Sequence, residues 1–346
     1  MIALNMIVRR GVVTSKSVVT SKMLAITLAV VSILFAGSLV AVQVTQSYSI
    51  PTAHSATTRM VTQKDNIWFV EYNANKIGQF NRKNHVFSEF DIPTKRSQPS
   101  DIALGADGSL WYTQQDANQI GHFNPVTKAF KEHDIPTPNS LPFRITTDAN
   151  GDVWFTEHYG NRIVRFSIAN EKFTEYVVPT ASSRPAGIEV DSAGRVWFLE
   201  THGNKLGFLN PVDGSFSEFA LPEPFAVPID LVIDERGVIW FGGRRGSTLM
   251  AYDPSREAFE VHAIPGGGVI GGLTVNSVGK ILFALENSGK IGLFNPVNGE
   301  FKIVRAVLEE SKPYGIETDD EGNIWFADLK RNVLCRLDGQ VLSLVK

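Results

Sequence analysis

One spacing governs this chain. A Trp-Phe pair or its equivalent recurs at Trp68, Trp111, Trp154, Trp197, Trp240, Leu282 and Trp325, at intervals of 43, 43, 43, 43, 42 and 43 residues. A fixed period of this length means stacked copies of one supersecondary unit, because a single unit cannot bury its own apolar surface. Other positions keep the same step. Three residues before the aromatic pair stand Gly108, Gly151, Gly194, Gly237, Gly279 and Gly322, in turns such as Asp148-Ala149-Asn150-Gly151. Glycine there supplies the positive φ of a tight hairpin. Seven residues after the Trp stand Asn75, Asn118, Asn161, Asn204 and Asn332, and two further on an Ile or Leu.

Each unit reads as four short strands. In the fourth unit they are predicted at residues 187–191, 195–200, 205–209 and 215–221, from alternation and from β-branched and aromatic content. No stretch after residue 43 carries helical periodicity with caps. Seven four-stranded units imply an all-β fold, a seven-bladed β-propeller over residues 43–346. The ring has to close, or two sheet edges stay open. Ser47-Tyr48-Ser49-Ile50-Pro51-Thr52 matches the end of a fourth strand but precedes the first unit. It is predicted to supply the outer strand of blade seven, with residues 340–345 as the competitor for that edge.

The start of the chain reads differently. Residues 1–22 carry Arg9, Arg10, Lys16 and Lys22, and no acid occurs before Asp65. Met23 to Val42 then runs without a charge, enough at about 1.5 Å per residue to cross a hydrocarbon core. The basic flank is expected in the cytoplasm and the rest outside it. Two readings stand, a cleaved signal peptide with Ala36-Gly37-Ser38 as its site and an uncleaved transmembrane anchor, with a buried helix as the plain alternative. The protein is thus expected to be extracytoplasmic, either membrane-anchored or secreted. A net charge of −3 excludes the basic field that nucleic acid needs. One cysteine, Cys335, excludes an internal disulfide and a multi-cysteine zinc site.

In a propeller the loops leading into the innermost strands and the turns joining the second and third strands share one rim, where ligands bind. Glu71, Glu157, Glu200 and Asp328 recur three residues after the Trp, which points first to a repeated structural role. Departures from the repeat are more telling. His158 and His202 lie beside Glu157 and Glu200 in adjacent blades. Arg244 and Arg245 follow Gly242-Gly243 in blade five, and Arg144 is a lone cation in a lead-in loop. Together they form a candidate polar pocket for an anion or a divalent cation, with Glu157 and Glu200 as the candidate metal ligands. His54, His85, His122, His133 and His262 read as structural, and Cys335 as a small buried hydrophobe. There is no phosphate-binding loop, dinucleotide fingerprint, zincin helix or nucleophile elbow.

Units such as Gly151-Asp152-Val153-Trp154-Phe155-Thr156-Glu157, continued by Gly160-Asn161-Arg162-Ile163 and preceded by Pro142-Phe143-Arg144-Ile145, resemble the virginiamycin B lyase (streptogramin lyase) family over nearly all of residues 45–346. The resemblance implies a ring-opening elimination on type B streptogramins, with a magnesium ion. A base removes a proton next to a carbonyl while the cation stabilises the developing enolate. It also implies a Glu-Pro-His lead-in loop, a second His in the preceding loop, and a second Glu after a Trp-Phe strand. Here the His positions hold Ser100, Phe143, Ala186, Ile229, Gly271 and Tyr314. The Glu positions hold Gln98, Leu141, Arg184, Val227, Val269 and Lys312. Phe283-Ala284-Leu285-Glu286 resembles the segment of the second Glu, in blade six rather than the last.

Three functions follow as alternatives. One is a monomeric propeller that binds a small molecule, glycan or protein at its rim, with Arg144, Glu157, His158, Glu200, His202, Arg244, Arg245 and Tyr314 as candidate contacts. Another is a metal-dependent carbon–oxygen lyase with a displaced site, for which His158, His202 and Glu286 are the catalytic candidates. A third is a calcium-dependent lactonase using rim carboxylates. The divalent cation would be magnesium or calcium.

Overall fold

The protein is described by a computed structural model over residues 46–224, 226–305 and 310–339. The basic flank, the apolar run 23–42 and the competing segment 340–345 lie outside these residues. Among the described residues no helix is long and apolar enough to cross a membrane. The described residues form seven four-stranded antiparallel sheets; in six of them the strands pair in sequence order, and the seventh takes its outer strand from the N-terminal segment. Blade four comprises Pro185–Val190, Val196–Glu200, Lys205–Leu209 and Phe216–Ala220, within two residues of the strands expected from alternation.

Six of the seven second strands are buried along their whole length, as at Val196–Glu200, and the seventh leaves only Asn66 partly exposed, because each sheet is covered on both faces by its neighbours. Aromatic rings span these seams. Trp68 packs on Phe123 of the next blade at 5.8 Å, Trp197 on Tyr252 at 5.8 Å and Trp240 on Phe294 at 5.5 Å.

The hairpin before five of the six tryptophans has a clasp that the glycine spacing does not reveal. Asp148 Oδ1 accepts the N–H groups of Asn150 and Asp152, and Oδ2 accepts Trp154 Nε1–H at 2.9 Å. Asp191, Asp234 and Asp319 hold Trp197, Trp240 and Trp325 at 2.8, 3.0 and 2.8 Å. A single carboxylate thus satisfies the turn amides and the buried indole, which would otherwise be an orphan donor. Gln63 takes over for Trp68 at 3.1 Å. Blade two has Gly105 instead, and Trp111 Nε1 is left without a partner.

The repeated asparagines hold the lead-in loops. Asn75 adopts φ 60°, a left-handed conformation that asparagine tolerates better than most residues. Its Nδ2 donates to the carbonyls of Ile92 and Thr94, and its Oδ1 accepts from the amide and hydroxyl of Ser97. Asn118 and Asn161 repeat the arrangement.

Ring closure reuses both devices. Gln46–Ser49 forms the outer strand of blade seven, antiparallel to Val333–Leu337. Asn332 donates to Ile50 and Thr52 and accepts from Ser55, across 277 to 282 residues of sequence. Tyr48 is 2% exposed, with its ring 4.6 Å from Phe80 of blade one and 5.9 Å from Trp325 of blade seven. Tyr48→Ala should therefore destabilise the fold by about 3–5 kcal/mol, the cost of an aromatic cavity. Asn332→Ala should cost about 2–4 kcal/mol from stranded polar groups. Urea unfolding measures both, and a change under 1 kcal/mol in each would mean that this strand does not close the ring.

Candidate functional site

The lead-in loops and the second-to-third-strand turns do share one rim. Each turn donates a backbone N–H to its own lead-in loop: His158 to Leu141, Thr201 to Arg184, Arg244 to Val227, Glu286 to Val269 and Leu329 to Lys312, at 2.9–3.2 Å. These bonds, repeated in blades one and two by Tyr72 to Ala56 and Gln115 to Gln98, fix side chains from seven blades around one channel mouth.

The repeated acids are not on its surface. Glu71, Glu157 and Glu200 are wholly buried, and none of their carboxyl oxygens makes a hydrogen bond. Arg162 Nη1 lies 3.9 Å from Glu157 Oε2. Gly160 and Gly203 close over Glu157 and Glu200, where a β-carbon would clash with the carboxyl. Burial, reinforced by the Glu89, Glu175 and Glu218 carboxylates respectively, pushes Glu71 and Glu157 up to about 8 and Glu200 to about 7. Asp328 behaves differently and accepts bonds from Ser311, Lys312, Lys330 and Arg331. A repeated structural role for these acids would mean bonds to neighbouring backbone or to the repeated asparagine. Only Asp328 bonds backbone.

His158 turns inward, its Nδ1 3.1 Å from the Pro185 carbonyl and its ring 5.2 Å from Phe143. Burial lowers it to about 4, so it is neutral at physiological pH. His202 is exposed. No group of three or more His, Cys, Asp or Glu side chains among the described residues could hold a metal ion. Glu157 and Glu200 thus belong to no such group.

A denser cluster forms at blades five to seven. Glu286 is clasped by Lys312 Nζ at 2.9 Å and Arg244 Nη2 at 3.4 Å. Arg245 is exposed and makes no ion pair among the described residues. Tyr314 is 8% exposed. Burial would raise its phenol, but Arg144, Arg59 and Arg244 outweigh it and hold the phenol below its ordinary value. Beneath Tyr314, Arg59 crosses the channel to an ion pair with Asp230 and lies 3.8 Å from Asp101, and Arg144 lies 3.8 Å from Asp230. Sequence reading named Arg144 and Tyr314 but missed Arg59, Asp101 and Asp230. These three hold one position, two residues into the innermost strands that begin at Thr57, Pro99 and Pro228, which is the signal that could have found them.

This architecture has known relatives. The virginiamycin B lyase family model matches residues 25–294. The chain belongs to the virginiamycin B lyase family. Virginiamycin B lyase from Staphylococcus aureus superposes with a TM-score of 0.80 at 26% identity, covering 85% of this chain and 98% of that one. A catalytically inactive histidine-to-alanine variant of that enzyme, with quinupristin, gives 0.79 at 27% identity, covering 85% and 98%. Hydrazine synthase from Kuenenia stuttgartiensis, at 0.71 and 12% identity over 84% and 98%, shares the fold alone. No curated protein matches.

The magnesium implied by the family finds no fitting donor set. Lys312 and Tyr314 fill the Glu and His positions of the blade-seven loop, and Glu286 is already neutralised by two cations. An ammonium 2.9 Å from the one carboxylate would repel a divalent ion.

The buried acids set a pH dependence. Their folded pKa values exceed the unfolded 4.5, so between pH 4.5 and about 8 the native state holds more protons and stability falls as pH rises. Glu157→Gln with Glu200→Gln should flatten that decline and stabilise the protein at pH 8 by about 1–3 kcal/mol. Gln114 occupies the same position in blade two, so the amide fits. Urea unfolding at pH 5 and pH 8 decides it, and equal slopes in wild type and variant would refute it.

Proposed function

We propose that this family member is a ligand-binding propeller that takes an anionic small molecule at the channel mouth of blades five to seven, and that it does not run the metal-dependent elimination. The observation carrying this reading is the Lys312–Glu286–Arg244 clasp. It places fixed positive charge where the elimination needs a divalent cation with free carboxylate ligands and a base. Arg244 and Arg245 are exposed and can meet a ligand carboxylate bidentately. Tyr314 adds a phenol beside them. The basic flank and apolar run at residues 9–42 support placement of the propeller outside the cytoplasm.

Purified protein with magnesium or manganese should leave a type B streptogramin intact over hours, by mass spectrometry. Turnover that chelation abolishes would overturn the reading. In a screen of carboxylate-bearing small molecules, a ligand that raises the melting temperature should lose most of that effect in Arg244→Ala/Arg245→Ala.

A further inference from the structure

The channel holds a second feature, on the far side of the arginines. Arg59, Asp101, Arg144 and Asp230 come from blades one, two, three and five, and each is at most 8% exposed. They form a charged bar across the bore. The innermost strands are sheet edges, so some of their N–H groups point into the channel without a ladder partner. Asp101 Oδ2 accepts that of Ile145 at 3.0 Å, and Asp230 Oδ2 that of Leu273 at 3.1 Å. The two aspartates are therefore held by backbone, and the arginines by the aspartates.

From this bar toward the hairpin face of the ring lies a chamber of about 210 Å³. Two positions further along their strands than the bar, Glu189 and Glu317 line it from blades four and seven. Thr146 Oγ1 donates to Glu189 at 2.9 Å and Thr274 Oγ1 to Glu317 at 3.2 Å. Burial pushes Glu189 to about 8 and Glu317 to about 7. The Asp230 carboxylate adds to both. The Thr146 bond opposes the rise at Glu189, and the Thr274 bond and the Arg59 charge oppose it at Glu317. At the other end Arg144, 3% exposed, lines the chamber with Nε and Nη2 lacking any hydrogen-bond partner, and Arg59 Nε lacks one too.

Unmet cationic donors thus stand at one end and carboxyls short of positive charge at the other. Each is costly when buried. We propose that the chamber binds a small zwitterion of amino-acid size, its carboxylate on Arg144 and its ammonium between Glu189 and Glu317. The volume equals roughly seven waters at about 30 Å³ each. It falls below the ~300–1,000 Å³ of sites for drug-sized ligands, which favours a ligand of a few heavy atoms. This site lies across the arginines from the rim; Arg144 also approaches Tyr314, so Glu189 and Glu317, which the rim reading does not use, separate the two.

Thermal unfolding of the full chain tests the assignment, with glycine and L-alanine as probes against acetate and methylammonium at equal millimolar concentration. The amino acids should raise the midpoint by about 2–4 °C, while acetate and methylammonium, alone or mixed, leave it unmoved. Arg144→Gln should abolish the rise, as should Glu189→Gln with Glu317→Gln, in protein whose circular dichroism matches wild type. If Arg144→Gln does not fold, the glutamate pair carries the test. Three results would overturn the proposal: no rise with either amino acid, an equal rise with acetate alone, or a rise that survives in the glutamate double variant.

Discussion

Everything in this molecule depends on the seam between neighbouring sheets. A blade buries its second strand only because the next blade covers it, and the aromatic contacts run from one sheet into the next. Such a stack is unsatisfied at both ends unless it closes. The N-terminal strand resolves this by joining the last sheet, and Asn332 and Tyr48 join the ends with the same bonds and rings that join interior blades. Closure then fixes the bore, and the bore brings together side chains that no local segment could assemble.

What the bore collects is charge held in place by backbone. The mouth of blades five to seven carries Lys312, Glu286 and Arg244 where the family resemblance implies metal-binding acid and base. A protein cation differs from a bound metal in one important way: it cannot open a coordination position for a reacting oxygen, and it offers directional hydrogen bonds instead. On the binding reading proposed above, an ammonium–carboxylate–guanidinium clasp in place of metal-ligand carboxylates suits the mouth to anion recognition rather than to Lewis-acid chemistry. The seven-bladed ring needs no alteration for this, since the loops differ while the stacked strands persist.

The acids after each Trp show where reading by residue type misleads. Glu157 and Glu200 are charged residues at the start of loops, which suggests solvent and ligand. In the fold they end a strand buried on both sides, under a glycine, with no bonded partner. Their neighbour His158 likewise packs inward. By contrast the aspartate six residues before four of the tryptophans keeps the step of the repeat, but its role as an indole clasp emerges only once the strands are placed.

By itself, the chain's periodicity determined the number of blades and the strands within each, and it offered residues 47–52 and 340–345 as two candidates for closing the ring, because pleat and turn are local consequences of alternation and of residues that accept positive φ. Only the closed tertiary structure decided that Arg59 reaches Asp230, 171 positions away, that Glu189 and Glu317 line one chamber, and that Glu157 is hidden. Those pairings depend on the radius of the ring and the register of each innermost strand, and neither quantity is written in any one repeat.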